Sequence, residues 1–558
     1  MFKNPLFIIL FSFLILTHSI SIYAQNQQGG ITPGATTQRI DDDRNEIEKQ
    51  RIIQQLKEQD PVVLENATLE PLQEKLDERK LIAIKSITVT ESQILLPESI
   101  TSITQDYIGK KISIKDLYAI VEQINGLYKV KGVISAKAIL PPQSIKDGVI
   151  DIQLIEAKVY KINIEGNNST RFSFIRDRIE LTAQDLLDIK KLERNLIRFN
   201  SLYDVKLRTA LSPGEEVGTT NIDITAQEPP KYSALTFVDN AGREEIGLYR
   251  IGGYATHRSV FGLRDAMTIG VVVSEGTRNL FTSYEIPVST KGTKVGISFD
   301  YSNTNLVSGV LQDINVEGDF FNVSIFANHP IITGEKMTVK GLVSFNWKKS
   351  TNAFENLFTF EGKVYSLAGG VDGVLFLDKG YVYNRHMLTG SFNDFSNGDR
   401  TFLRYNGDLD WQSSWYKNVR LGVKGKLQLA SDELIPSSEQ FQLGGVSSIR
   451  GYPEGMLVGD NGYAFMTQIS IPVEWMNKIP KVKNFRSFVF TDFGQIFILV
   501  NDAVINQNQD FIAGVGGGIS YDFWKNLSGK VTLGVPIVSH PFNDKDSLRT
   551  HFYMQAKF

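Results

Sequence analysis

In Val419-Arg-Leu-Gly-Val-Lys-Gly-Lys-Leu-Gln-Leu429, the residues Val419, Leu421, Val423, Leu427 and Leu429 share one parity. Arg420, Lys424, Lys426 and Gln428 share the other. Successive side chains of a strand point to opposite faces, so this is a strand with one apolar and one charged face. The pattern recurs outward from here. Met337, Val339, Val343, Phe345 and Trp347 oppose Thr338, Lys340, Ser344 and Asn346, and Leu403, Tyr405, Leu409 and Trp411 oppose Arg404, Asn406, Asp408 and Asp410. The final segment sets Leu548, Phe552, Met554, Ala556 and Phe558 against Arg549, His551, Tyr553, Gln555 and Lys557. A soluble sandwich also alternates, because one face of each sheet meets water. Here roughly sixteen segments, each about ten residues long, follow one another with aromatic edges. A Lys or Arg at the lipid midplane costs about 2–4 kcal/mol, so confining cations to one parity points to lipid on the other. The stretch 230–558 is therefore expected to be a transmembrane antiparallel β-barrel of about 16 strands.

Upstream of Pro229-Pro230 the texture is mixed. Ile84–Val89 alternates like a strand, and Ile114–Tyr128 carries Leu117, Ile120, Val121, Ile124 and Leu127 at helical spacing. Two strand–helix–helix–strand–strand units of about 75 residues form an internal repeat, spanning 82–158 and 159–229. Each such unit has a small three-stranded sheet with exposed edges. Residues 25–81 read as a tether, flexible over Gln25–Gln38, with a polar helix over Arg39–Gln59. A helix that is polar nearly all round cannot sit in a dry core. It is either a solvated helix or one lying inside a wet channel. Residues 1–24 read as a secretory signal: Lys3, an apolar core Leu6–Leu16, and cleavage after Ala24. The alternative, a membrane anchor, falls short of the ~20 apolar residues a spanning helix needs.

The 558 residues carry a net charge of −3 and no cysteine. There is thus no basic field for nucleic acid, no disulfide framework and no thiolate site. The histidines show no His-x-x-x-His spacing, so no metal site is expected. Neither a nucleophile elbow nor a phosphate loop is present, and the glycines of Gly514–Gly518 read as strand glycines. No enzyme activity and no cofactor are expected.

Two motifs stand out. Phe441-Gln-Leu-Gly-Gly445 leads to Ser448-Ile449-Arg450-Gly451-Tyr452, and Phe490-Thr-Asp492-Phe-Gly494 follows. Phe490, Asp492 and Gly494 share a parity and face the lumen together. Asp492 can accept a bidentate bond from Arg450, and Gly494 leaves room for the loop backbone. These motifs resemble the (V/I)RGY loop tip and its receiving strand in the two-partner secretion transporters. That family is a branch of the outer-membrane superfamily that also holds the barrel-assembly factors. Gly132-Val-Ile-Ser135, Leu140-Pro-Pro-Gln143 and Asp147–Ile152 resemble its first POTRA domain, and Leu211-Ser-Pro-Gly214 with Gly218-Thr-Thr220 its second.

The resemblance implies α+β periplasmic POTRA domains before the barrel and a bacterial outer-membrane location. It implies a long loop 431–460 folded inward and locked by Ile449, Arg450, Gly451 and Tyr452 against Phe490, Asp492 and Gly494. Arg39–Gln59 becomes a plug helix, and Phe558 a terminal signal for the barrel assembly machinery. The implied partner is an unfolded secreted exoprotein with an N-terminal secretion domain, passed through a monomeric barrel set in outer-membrane lipid. The competing functions are an insertase for other barrels and a passive porin. Glu156-Ala157-Lys158 and Gln468 depart from the family pattern, and neither is expected to touch the Arg–Asp pair. Cargo is expected to add as a strand to a POTRA edge. Leu117, Val121 and Ile124 are either the floor of a cargo groove there or, the preferred reading, domain core. Folding of cargo outside the cell would supply the driving force.

Overall fold

A computed structural model describes residues 33–57, 64–66 and 81–558, apart from 132, 134–135, 146, 217, 310–315, 355–357, 396–399, 433–434, 498–510, 541–542 and 544–547. The signal segment and most of the tether lie outside the described residues. Helix α1 spans Pro33–Lys57 and is followed by strand β1 (Leu64–Asn66). The tether is therefore shorter than expected, because Pro33–Gln38 belong to the helix. Proline is tolerated at a helix's first turn, where its missing N–H has no partner to lose.

The first α/β unit contains β2 (Ile82–Ala83), β3 (Ser86–Val89), α2 (Pro97–Thr104), β4 (Lys111–Ile112), α3 (Ile114–Val130), β5 (Ala136–Ile139) and β6 (Val149–Glu156). Its main sheet runs β3-β6-β5. Ser113 starts α3 with a capping box: its hydroxyl accepts from Asp116 N at 3.3 Å, and Asp116 Oδ2 accepts from Ser113 N at 2.8 Å. That satisfies two otherwise orphaned N–H groups. Leu117, Val121 and Ile124 are 0%, 5% and 0% exposed under the sheet. They are domain core, and the groove-floor reading is wrong for all three.

The second unit has β7 (Lys158–Glu165), α4 (Phe172–Ile179), α5 (Ile189–Leu202), β8 (Lys206–Pro213) and β9 (Thr219–Gln227). Its sheet is not three-stranded as expected. The order is β1-β8-β9-β7, with β1 parallel to β8, Glu65 opposite Ala210. The tether thus covers one edge, blunting a template for unwanted pairing.

The barrel strands are β10 (Tyr232–Asp239), β11 (Arg250–His257), β12 (Ala266–Val273), β13 (Thr277–Pro287), β14 (Lys294–Asn305) and β15 (Val316–Thr333). Next come β16 (Met337–Phe354), β17 (Phe358–Leu377), β18 (Gly380–Phe395), β19 (Arg400–Ser414) and β20 (Arg420–Ala430). After a loop holding β21 (Phe441–Leu443) and β22 (Leu457–Gly459), the wall resumes with β23 (Asn461–Pro472), β24 (Val482–Phe497), β25 (Phe511–Phe523), β26 (Leu527–Pro536) and β27 (Arg549–Lys557). β10 to β20 and β23 to β27 close into one 16-strand antiparallel barrel, with β10 pairing β27. β15 to β19 are 15–20 residues long, more than the ~10 expected and more than the ~9–11 a tilted strand needs to cross a bilayer. Outward residues such as Ile325, Leu367 and Val489 are exposed for lipid, while Asp300, Asp410 and Asp492 are buried in the interior.

The second unit docks on three turns at the barrel's periplasmic end. Asp204 forms ion pairs with Arg264 and, at 3.1 Å, with Arg258 in the β11–β12 turn. Arg178 donates to Ser289 O (3.0 Å) in the β13–β14 turn. Ser201 Oγ, which donates to Ile197 O (2.7 Å), lies 3.4 Å from Gly334 O in the β15–β16 turn. Burial alone would raise the Asp204 carboxyl, but Arg264, with Arg51 of α1 and Arg258 behind it, holds it below the usual carboxylate range.

At the seam, Phe558 N donates to Ala234 O (2.8 Å) and Ala234 N to Phe558 O (3.0 Å), while the Phe558 side chain stays 71% exposed. Backbone and ring can thus be tested separately. Deleting Phe558 removes both and lowers the amount of folded barrel. Phe558→Ala keeps the two seam bonds, so its loss of barrel, read by immunoblot of heat-modifiable protein, isolates the ring as an assembly signal. Normal barrel levels with lost secretion would contradict this assignment.

Candidate functional site in the barrel lumen

Loop 431–460 folds back into the lumen. β21 and β22 pair within it, Phe441 opposite Gly459. Its root is held by Glu439, which is 0% exposed between Lys348 (2.5 Å) and Arg404 (2.7 Å). Near its tip, Arg243 from the β10–β11 loop donates to Gly455 O at 3.1 Å. Phe441, Leu443, Ile449, Tyr452, Met456 and Leu457 pack with Ala464, Met466, Ile496 and Ile512 of the wall.

The tip brings the expected residues together. Arg450 Nε donates to Asp492 Oδ2 and its Nη2 to Oδ1, both at 2.7 Å, and its backbone N reaches Oδ2 at 3.1 Å. The guanidinium lies 3.6 Å from the Phe490 ring centroid. Arg450 is 5% exposed and Asp492 0%. Gln468 corrects the expectation, because Arg450 Nη1 donates to its Oε1 at 2.7 Å. A neutral amide here accepts from Nη1 without adding a second buried charge. Tyr452 is fully buried, its hydroxyl 2.6 Å from Val538 O and 2.9 Å from Ala513 O.

Glycines explain how the backbone fits. Gly451 has φ +105°, and a Cβ there would lie 2.9 Å from Val535 C. A Cβ on Gly514 would meet Arg450 O at 2.1 Å, and one on Gly534 would meet Gly451 N at 2.6 Å. These two, not Gly494, admit the loop backbone. Around Gly494 the near neighbours are Tyr463 O and the Leu443 side chain. Spacing along the sequence could not show this, because Gly514 and Gly534 meet the tip across two neighbouring strands.

The other occupant of the lumen is α1. Arg44 pairs with Asp300, Lys49 with Asp410 (2.6 Å), Asp42 with Lys426 (2.7 Å), Asp43 with Arg250 (3.2 Å) and Glu46 with Lys424 (3.3 Å). Ile40 packs on Phe237 and Val272, and Ile53 on Val374, Tyr381 and Tyr383. A cavity of about 460 Å³ lies between helix, loop and wall. Among the described residues no cluster of His, Cys, Asp and Glu could hold a metal.

A closed 16-strand barrel with POTRA-like units at its periplasmic mouth and a loop locked in its lumen defines an outer-membrane transporter of the POTRA-barrel class. The chain belongs to the haemolysin secretion/activation family ShlB/FhaC/HecB, whose model matches residues 218–521, and residues 82–157 match the ShlB-type POTRA domain. It is 24% identical over 483 residues to the heme/hemopexin transporter protein HuxB of Haemophilus influenzae (strain 86-028NP), covering 82% of this chain and 83% of that one. It is 22% identical over 536 residues to the outer membrane transporter CdiB of Dickeya dadantii (strain 3937), covering 89% and 91%. The solved structure of CdiB from Escherichia coli has the same fold, with TM-score 0.66 and 18% identity over 96% of this chain and 100% of that one. The chain is a two-partner secretion transporter of the bacterial outer membrane, and the insertase alternative falls away.

Removing one partner of a buried ion pair strands the other, at about 3–5 kcal/mol. Arg450→Ala and Asp492→Ala should each lower secretion at least tenfold, and the double substitution should lose less than the two combined. Exoprotein in the medium, normalised to folded barrel, reads this out, and strictly additive losses would contradict direct pairing.

Proposed function

We propose that the POTRA units receive an unfolded exoprotein bearing an N-terminal secretion domain, and that this chain then passes through the barrel in place of α1. The observation that carries the reading is a lumen filled by two differently held elements: a loop fixed by a dry, multidentate lock, and a helix fixed mainly by ion pairs in a wet channel. Exposed ion pairs contribute about 0.2–1 kcal/mol each. Lys426–Asp42 and Lys424–Glu46 are of this kind, with side chains 26–44% exposed. These two pairs exchange readily for a competing chain, whereas the more buried Lys49–Asp410, Arg44–Asp300 and Arg250–Asp43 pairs must be matched by charges of the chain that replaces the helix. Ile449, Arg450, Gly451 and Tyr452, with Phe490, Asp492 and Gly494, keep the loop in place during transit.

Reception by edge pairing favours the first POTRA unit, whose β3 and β5 each pair on one side. In the second unit β1 occupies the β8 edge. A monomeric barrel, delivered by the assembly machinery, suffices for this route. Folding of cargo at the cell surface supplies the direction.

Deleting 33–57 should raise single-channel conductance in planar bilayers several-fold. Lys49→Glu, which sets like charge against Asp410 and Glu46, should raise the frequency of large openings. Unchanged conductance in the deletion would count against occlusion by α1.

A further inference from the structure

Most cations of the lumen are matched. Arg250, Lys294, Lys348, Arg404, Lys424 and Lys426 each have a carboxylate within ion-pair distance. Arg420, Arg486 and Lys530 have no such partner among the described residues. They sit on β20, β24 and β26, on the lumen parity, toward the periplasmic end. Arg486 faces Ser520, which faces Lys530, in one row across three strands. Arg486 is 6% exposed; its Nη2 donates to Asn418 O (2.6 Å) and Ser470 O (2.8 Å), and its Nε has no partner. Lys530 Nζ lies 4.8 Å from the Phe488 ring centroid. Above it, Arg450 covers the Phe490 ring. Gly516 and Gly518 keep these rings flat on the wall, since a Cβ at either would come 2.6 Å from Phe490 or Phe488.

Like charges gathered with no carboxylate within ion-pair distance destabilise a wall that has no use for them. We propose that this ladder of cations and rings binds acidic side chains of the polypeptide in transit, holding it extended along β24. Arg486, Phe488 and Phe490 are two residues apart, a step of about 6.6 Å, which is also the repeat of side chains on one face of an extended chain. An acidic residue meeting Arg486 or Lys530 and an apolar neighbour meeting the edge of Phe488 would share that step, while the Phe490 ring stays under Arg450. α1 makes its ion pairs with β11, β14, β19 and β20, and none of these pairs is with β24 or β26, although the charge of Glu46 also acts on Lys530. The inference rests on the export reading above.

Three synthetic peptides of equal length test it: a neutral Ser/Gly chain, one with Asp at alternate positions, and one with Lys there. Each is added to the periplasmic side of the full chain in planar bilayers, and of the chain lacking 33–57, and the dwell time of current blocks is measured. The Asp peptide should dwell longest. Its dwell time should fall roughly 2–5-fold in Lys530→Gln and again in the Arg486→Gln/Lys530→Gln double variant. Arg486→Lys should keep most of it. Should Arg486→Gln fail to give heat-modifiable barrel, Lys530→Gln alone decides. Entry of the neutral peptide with no gain for the Asp peptide overturns the ladder while leaving export intact. Absence of blocks by every peptide in both chains overturns both. Equal dwell of the Lys and Asp peptides also overturns the ladder.

Discussion

The lumen is organised around one buried ion pair, Arg450 with Asp492. A guanidinium out of water is costly unless its donors are matched, and here Nε, Nη1 and Nη2 all reach acceptors on β23 and β24. That requirement explains much else. The tip must come close enough for its backbone to touch β25 and β26, which demands Gly514 and Gly534. Gly451 must adopt a left-handed conformation, and Tyr452 must find carbonyls for its hydroxyl. The loop's apolar residues then form a small core of their own inside an otherwise wet barrel.

The two lumen occupants differ in how they are held, and the magnitudes separate them. The Arg450–Asp492 side chains are 6% and 0% exposed, so losing one partner costs several kcal/mol. The exposed pairs of α1 each contribute a fraction of that. Lys49–Asp410, at 9% and 7% exposed, is a buried pair and lies in the second half of the helix. Arg51, near the same end, acts on Asp204, the residue that anchors the second POTRA unit to the barrel.

Much of this was legible in the sequence because the side-chain period of a strand is two and lipid tolerates no cation at its midplane. Alternation through Val419–Leu429 and its repeats gave the barrel and the strand count. The Arg450–Asp492 meeting followed from strand parity and from the family likeness of the motifs. What stayed hidden depended on cross-strand neighbours. Gln468 reads as an unremarkable polar residue until it stands beside Phe490 across the β23–β24 ladder. Gly514 and Gly534 read as ordinary strand glycines. β1 is three residues of a polar tether, too short for periodicity, and its pairing with β8 is a tertiary choice. Leu117, Val121 and Ile124 have helical spacing that suits a groove and a core equally; burial decides for the core.

The central claim is that α1 must leave the lumen while the loop stays. The chain has no cysteine, so Glu46→Cys with Lys424→Cys gives an unambiguous pair that a short, reducible thiol crosslinker can tether. The account predicts that crosslinking stops secretion of the exoprotein and that reduction restores it, with barrel levels unchanged. Undiminished secretion with α1 covalently held to β20 would contradict it.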